Sequence, residues 1–117
     1  MYTLTATFTF STFENKKKFL GILKSPDGLA VTRVWPGCEL IECYTVQGND
    51  YQVFLWEKWD TKNSHEKYMK MRKDTGMFTL LESMLEKPFE VVALNEEVAL
   101  NSSSQNSSSH TSMYDPL

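Results

Sequence analysis

The segment TLTATFTF, residues 3–10, alternates threonine with an apolar residue. This period of two predicts a β-strand, since neighbouring side chains on a strand point to opposite faces. One face consists of threonines, which favour strands but are not the charged residues of an ordinary solvent-exposed face. The strand therefore predicts a sheet in which both faces are covered. The opposite face is apolar and requires a hydrophobic core: Tyr2, Leu4, Ala6, Phe8 and Phe10.

Composition limits the class of protein. The 117 residues fit one small domain, and the content of 41% hydrophobic and 23% charged residues predicts a globular chain. A net charge of −3 and a pI near 5.3 give no electrostatic attraction to nucleic acid or to an anionic membrane. The sequence has neither a membrane-spanning apolar run nor a signal-like start, so we expect a cytoplasmic protein.

The two cysteines, Cys38 and Cys43, lie in one predicted strand. At about 3.3 Å per residue their Cα atoms would be roughly 16 Å apart, too far for a disulfide between them. The spacing of the cysteines and histidines does not resemble a zinc site. We expect two reduced thiols and no metal.

The first helix is predicted to begin at Ser11, because Glu14 three residues later completes a capping box. The turn residues SPDG at 25–28 end this helix. The next segment, LAVTRVW at 29–35, fits either a helical turn or an extended piece. The apolar positions predicted to face the core are Phe13, Phe19, Leu20, Ile22 and Leu23.

Two further strands and a second helix follow. Strands at 39–47 and 51–59 flank a hairpin turn at Gly48–Asp50, and apolar residues on both faces of the second of these predict a central strand. A helix opens at Asp60–Thr61 and extends to about Asp74. Helical spacing resumes at Met77 and stops before Pro88, and residues 89–94 predict a last strand.

This order of elements predicts an α+β fold, the ferredoxin-like βαββαβ sandwich, with an antiparallel sheet and helices on one face. The domain is expected to span residues 1–100. Residues 101–117 form a Ser/Asn-rich segment that is expected to be disordered. The sheet face without helices predicts a homodimer through that face. The pattern does not fix which face of the first strand meets the partner, and we prefer the apolar row under the helices.

Two segments carry a resemblance to a known family: WPGCELIECYTV at 35–46 and VFLWEKWDTKNSHEKYMKMR at 53–72. A Pro-Gly-Cys turn into a strand, a strand ending in Trp and a helix opened by Asp-Thr resemble the antibiotic biosynthesis monooxygenase (ABM) family of dimeric α/β-barrel proteins. The resemblance extends over about residues 2–94. It implies cofactor-independent oxygenation of phenolic or quinol substrates, although the family also contains haem-degrading oxygenases and isomerases.

The resemblance can be followed residue by residue. Trp59 matches the family's Trp at the end of the third strand. The helix position that holds His in many members is Tyr68 here, and His65 lies one turn earlier. Haem-degrading members use an Asn on the first strand, where this chain has Thr7 near the expected place. The resemblance therefore favours a cofactor-independent enzyme over haem degradation.

At 100° per residue, one arc of the second helix carries His65, Tyr68, Met69 and Arg72, and charged residues occupy the other side. Buried polar groups are costly unless they are paired or line a cavity, so we expect a pocket between this helix and the sheet. There His65 would be a general base, Arg72 would hold an anion and Tyr68 would hydrogen-bond the substrate. The predicted walls are Trp59, Met69, Trp56 and Phe54.

Structural alternatives stay open for each of these residues. His65 is alternatively a core histidine, Arg72 a partner of Glu57, and the tryptophans core residues. Three functions are compatible with the pattern. The first is a cofactor-independent monooxygenase acting on a small aromatic, quinol or polyketide-like substrate. The others are haem binding or degradation with a histidine ligand, and a non-catalytic dimeric module that binds a small apolar molecule.

Overall fold

A four-stranded antiparallel sheet forms one layer of the protein. The structure, a computed structural model, describes residues 1–101. The strands lie in the spatial order β2–β3–β1–β4, so β1 and β3 are central. This order confirms the ferredoxin-like sandwich. The strands are β1 (Tyr2–Thr9), β2 (Cys38–Val46), β3 (Asn49–Trp59) and β4 (Glu90–Leu94).

Four helices form the second layer: α1 (Phe13–Lys24), α2 (Leu29–Val34), α3 (Lys62–Asp74) and α4 (Met77–Met84). The segment 29–35, for which the sequence allows a helical turn or an extended piece, therefore contains the short helix α2. A 3-10 turn at Val98–Leu100 follows the last strand. Within the described residues, none of the helices has the length and apolar character needed to cross a membrane.

The start of α1 differs from its prediction by one residue. Thr12, not Ser11, is the N-cap, and its hydroxyl accepts from the backbone N–H of Asn15 at 3.0 Å. The Ser11 hydroxyl donates to the carbonyl oxygen of Met84 and so ties this turn to α4. Phe13 is 45% exposed, so its predicted place in the core is wrong. It lies in the first turn, and Phe19 is the buried aromatic residue of α1.

The core lies between the sheet and the helices. The apolar residues of β1 face inward, and the Phe8 ring packs 5.2 Å from that of Phe19 in α1. Leu29 of α2 and Leu81 of α4 complete the same cluster. The apolar row of β1 therefore lies under the helices, as predicted.

The opposite sheet face carries the threonines of β1 and the remaining aromatic residues of β3. Thr5 is paired with Trp56, and Thr7 with Phe54. No helix covers this outer face. We define it by the cross-strand partners that share it, which are Leu40, Glu42 and Tyr44 of β2, Gln52, Phe54, Trp56 and Lys58 of β3, and Glu90, Val92 and Leu94 of β4.

Two other sequence predictions concern cysteines and the terminal segment. Cys38 and Cys43 are both free, and burial raises the pKa of both thiols, so neither is an activated nucleophile. The predicted disorder of the Ser/Asn-rich segment lies outside the described residues, apart from Asn101.

The Pro36–Gly37 turn fixes the start of α3. Gly37 has φ +93°, and its carbonyl oxygen accepts from the backbone N–H of Asp60 at 2.9 Å. A Cβ atom at this position would lie 2.5 Å from Asp60 Oδ1 and from Ser64 Cβ. Only glycine fits, because both the backbone conformation and the close approach exclude a side chain.

We expect Gly37→Ala to lower the free energy of unfolding more than Gly48→Ala, by about 1–3 kcal/mol. Gly48 is the matched control: its φ of +79° carries the same backbone penalty, but its Cβ would meet nothing within 4 Å. Urea denaturation of both variants measures the difference. Equal losses would show that the turn does not pack against α3 as described.

Candidate functional site

Helix α3 directs its polar residues toward the sheet. Thr61 caps the helix by accepting from the Ser64 backbone N–H at 3.1 Å. From this start, His65, Tyr68 and Arg72 fall on the buried side of α3. The structure therefore places these three residues together on the inner face, as the helical spacing predicts.

Arg72 is a buried cation that donates four hydrogen bonds within the protein. Its Nε donates to the Tyr68 hydroxyl at 2.8 Å, and Nη1 donates to the Asp27 carbonyl at 2.9 Å. Nη2 donates to the Gly28 carbonyl at 2.9 Å and to Thr32 Oγ1 at 3.1 Å. The guanidinium thus connects α3 to the turn before α2 and to α2 itself.

Tyr68 belongs to the same network. Its hydroxyl lies 2.7 Å from Thr32 Oγ1, and its ring packs 5.1 Å from that of Trp59. Burial raises the pKa of Tyr68, against the lowering effect of its hydrogen bonds to Thr32 and Arg72. Tyr68 and Arg72 therefore join α3 to α2 and to the turn before it.

A second set of buried polar side chains lies nearby, and fewer of its polar atoms make hydrogen bonds. Glu57 of β3 and His65 of α3 are 5% and 6% exposed, and Glu57 Oε1 lies 3.8 Å from His65 Nε2. That same oxygen accepts from Trp59 Nε1 at 2.9 Å. Within residues 1–101, Glu57 Oε2 and both ring nitrogens of His65 make no hydrogen bond. The imidazole is instead held between the rings of Trp59 and Tyr2.

Burial moves the pKa values of this pair toward the neutral forms. Desolvation raises the pKa of Glu57 above its ordinary 4.5, although the bond from Trp59 opposes the shift. Desolvation also lowers the pKa of His65 below its ordinary 6.5, with Glu66 acting in the opposite direction. A neutral imidazole is a competent proton acceptor, so His65 retains the basic form over a wider pH range.

A cavity of about 60 Å³ lies beneath α3, and its walls are mainly apolar. His65 and Glu57 line it together with Tyr68, Met69 and Arg72. Trp59 packs behind the two α3 rings and is not part of the lining. The apolar walls come from every layer of the fold and include Leu4, Ala6, Phe8, Leu55, Leu81 and Phe89.

Two of the predicted aromatic walls lie elsewhere. Phe54 and Trp56 occupy the outer face of β3, since residues of alternate register on a strand point to opposite sides. Phe54 packs near Tyr44, and the Lys58 ammonium lies 5.3 Å from the Trp56 ring. The structure does not bring them to the cavity within one chain.

The cavity is small, and its size limits what can enter. A volume of 60 Å³ holds a few water molecules but is less than the roughly 150 Å³ that accommodates benzene. Val91, 40% exposed, lies in the lining, so the cavity approaches the surface beside β4. An aromatic ring would require side chains to move, and the flexible Met69 and Met77 are the adaptable walls.

Glu57 is the site residue that the sequence interpretation did not select. The sequence offers Glu57 only as a partner of Arg72, and the structure shows Arg72 bonded to neutral oxygens instead. A signal was available in the pattern, because Glu57 stands between Leu55 and Trp59 in the inward register of a central strand. A lone carboxylate in that position is costly unless it has a partner or a function.

Comparison with known proteins supports the fold. No protein-family model and no curated protein matches the sequence. Among solved structures, an antibiotic biosynthesis monooxygenase aligns with TM-score 0.68 and 14% identity over 82% of this chain and 98% of its own. A protein provisionally assigned to that class from Deinococcus radiodurans gives 0.72 and 17% over 88% and 99%.

A dimeric ferredoxin-like protein from an uncultured marine organism aligns with TM-score 0.63 and 16% identity over 81% of this chain and 89% of its own. Identities at this level show the fold alone. The chain therefore has an ABM-like ferredoxin fold, and its chemistry must be argued from its own residues.

The residues present do not fit the cofactors considered. Within residues 1–101 no group of three His, Cys, Asp or Glu side chains is placed to hold a metal ion. The 60 Å³ cavity is far too small for a haem macrocycle, and the Glu57 carboxyl group lies 3.8 Å from His65 Nε2, where an iron-ligand bond would have to form. No step through haem is therefore derived for this site.

We expect Arg72→Met to lower the free energy of unfolding by about 3 kcal/mol, because buried carbonyl and hydroxyl oxygens lose their donor. Lys70→Met is the control on the exposed side of the same helix. It removes only a surface ion pair with Asp74 and should change stability by less than about 1 kcal/mol. Urea denaturation compares them, and equal effects would contradict the structural role of Arg72.

Proposed function

We propose that this chain is a cofactor-independent monooxygenase of the ABM type, acting on a small aromatic, quinol or polyketide-like substrate. The observation that carries the proposal is the buried His65 in an apolar cavity. It is the one imidazole in the described part of the chain, its pKa is lowered by burial, and its ring nitrogens make no hydrogen bond within residues 1–101. The ABM-like fold supports the same class.

The chemistry needs a base and a dry cavity. His65 takes the proton of a phenol, and the phenolate that forms gives an electron to dioxygen. Recombination makes a carbon–oxygen bond at the para carbon, and the peroxide is protonated by the imidazolium. Loss of the para hydrogen as a proton then breaks the O–O bond. One phenol and one dioxygen yield one quinone and one water, so no external reductant is required.

The surrounding residues have supporting roles in this proposal. Trp59 and Tyr2 hold the imidazole ring in place, and Tyr68 and Arg72 hold α3. The substrate would approach beside Val91 and displace Met69 and Met77. Apolar walls favour the reaction because they exclude water from the anionic and radical species. Cytoplasmic location and the absence of nucleic-acid or membrane partners remain predictions from composition.

Oxygen uptake with 2,6-dimethylphenol or 1-naphthol tests the function. We expect wild-type protein to consume oxygen and form the quinone, and His65→Ala to lower the rate at least about tenfold, as loss of a general base does. Lys67→Ala, on the exposed side of α3, should leave the rate unchanged.

Turnover that survives in His65→Ala would remove His65 from the mechanism. Thermal stabilisation by these compounds without product formation would instead indicate the non-catalytic binding module. Either result can be separated from misfolding by the melting temperature of each variant.

We further propose that two chains pair through the outer face of the sheet. In a single chain, Tyr44, Val92 and Leu94 of this face are exposed, and the larger aromatic residues Phe54 and Trp56 are half-buried. Glu42, Lys58 and Glu90 are the charged residues of this face, and the apolar side chains among them form a surface of the kind that usually meets a partner. Two such faces packed against each other would cover the threonine row of β1, which is too uncharged for an ordinary solvent-exposed face.

Light scattering at micromolar concentration should give twice the chain mass of 13.5 kDa. Trp56→Lys, at the centre of the outer face, should shift the protein toward monomer, because a buried unpaired charge opposes association. Lys17→Glu, on the far side of the molecule, is the control. A monomeric wild-type protein would overturn this pairing.

A further inference from the structure

Glu57 and His65 present unused hydrogen-bonding atoms to the cavity. Both side chains are more than nine-tenths buried and line the same space. Glu57 Oε2 and the two ring nitrogens of His65 make no hydrogen bond within residues 1–101, whereas every nitrogen of the neighbouring Arg72 guanidinium donates at least one. Buried polar atoms without partners are rare in proteins, and they indicate a ligand, a water or a chemical role.

Packing alone does not account for an ionisable group at position 57. The Trp59 indole N–H needs one acceptor, and an uncharged glutamine of the same shape would provide it. Unlike a glutamine, a carboxyl group 3.8 Å from an imidazole can exchange a proton with it, so that either residue can carry that proton. Burial raises the pKa of Glu57 and lowers that of His65, so both shifts favour the uncharged forms, a carboxylic acid beside a neutral imidazole.

Such a pair offers one proton donor and one proton acceptor to the same ligand. The acid can donate to an oxygen atom while the imidazole accepts from a nearby carbon or oxygen. In a low-dielectric cavity this arrangement suits proton transfer in which charge would otherwise build up on the substrate. It does not require dioxygen.

We infer that the Glu57–His65 pair is a catalytic acid–base site for keto–enol tautomerisation of small enolisable ketones, an activity independent of oxygen. Oxygenation as proposed above needs only His65, so this inference adds Glu57 and a second substrate class to the same cavity. Both proposals rest on that cavity but not on each other.

The step balances within the site. His65 Nε2 takes the proton from the carbon next to the carbonyl, and Glu57 gives its proton to the carbonyl oxygen. A C–H bond breaks, an O–H bond forms, and the ketone becomes its enol isomer without any oxidant. His65 is then protonated and Glu57 ionised, and return of one proton from His65 to Glu57 restores the pair. A movement of about 1 Å brings the two atoms to hydrogen-bond distance.

The test is deuterium exchange under strict exclusion of oxygen. Wild-type protein in D₂O is mixed with acetone or with the larger 2-indanone, and proton NMR follows loss of the α-hydrogen signal. We expect exchange well above the buffer rate for at least one of the two. Glu57→Gln should lower this rate at least tenfold while retaining the acceptor for Trp59, and His65→Gln should do the same.

Glu82→Gln is the matched control, since Glu82 lies on the exposed side of α4, a helix that also borders the cavity. Its rate should equal that of wild type. Circular dichroism and melting temperature establish that each variant is folded. If Glu57→Gln does not fold, the exchange rate of His65→Gln tests whether the pair carries the reaction.

The outcomes separate the two proposals. Anaerobic exchange without oxygen uptake in air supports the tautomerase site and removes the monooxygenase. Oxygen uptake by wild type with exchange at the buffer rate for both ketones overturns the tautomerase site and leaves the monooxygenase. Exchange that is unaffected by a folded Glu57→Gln variant also overturns the role of Glu57.

Discussion

The buried guanidinium of Arg72 is the constraint on which the site depends. Its four hydrogen bonds go to neutral oxygens of the turn before α2, of α2 and of Tyr68. These bonds fix how α3 is rotated over the sheet. Because His65 lies two turns earlier on that helix, the same rotation brings its imidazole above Glu57. The Pro36–Gly37 turn holds the other end of α3, so the helix is anchored at both ends.

Two sets of polar groups meet under α3, and they differ in how far they are satisfied. Thr32, Tyr68 and Arg72 bond to one another and to backbone, and so stabilise the contact between two helices. Glu57 and His65 are equally buried but retain free atoms toward the cavity. The first set therefore stabilises the fold, and the second set carries the chemistry that we propose. A stable network beside an incompletely satisfied pair is typical of a site that is held ready for a ligand.

Periodicity was sufficient to predict the sandwich, because alternation in β1 and helical spacing in α3 each allow one burial pattern. It also predicted which α3 residues turn inward. It could not assign their partners: Arg72 bonds to Asp27 and Gly28, which are more than forty positions away and contribute only backbone oxygens. The alternation also separates the two faces of β3 correctly, but it cannot show which face borders the cavity: Phe54 and Trp56, predicted as cavity walls, lie on the outer face, and the cavity is lined by Leu55 and Glu57.

The most direct measurement of the central claim is the pKa of His65, obtained from the pH dependence of its ring NMR signals and assigned with His65→Gln. An imidazole enclosed by Trp59, Tyr2 and Glu57 should titrate below its ordinary 6.5, since burial disfavours the cation. A pKa at or above 6.5 would mean that the ring meets bulk water or an ionised carboxylate. Either situation would contradict a dry, neutral acid–base pair.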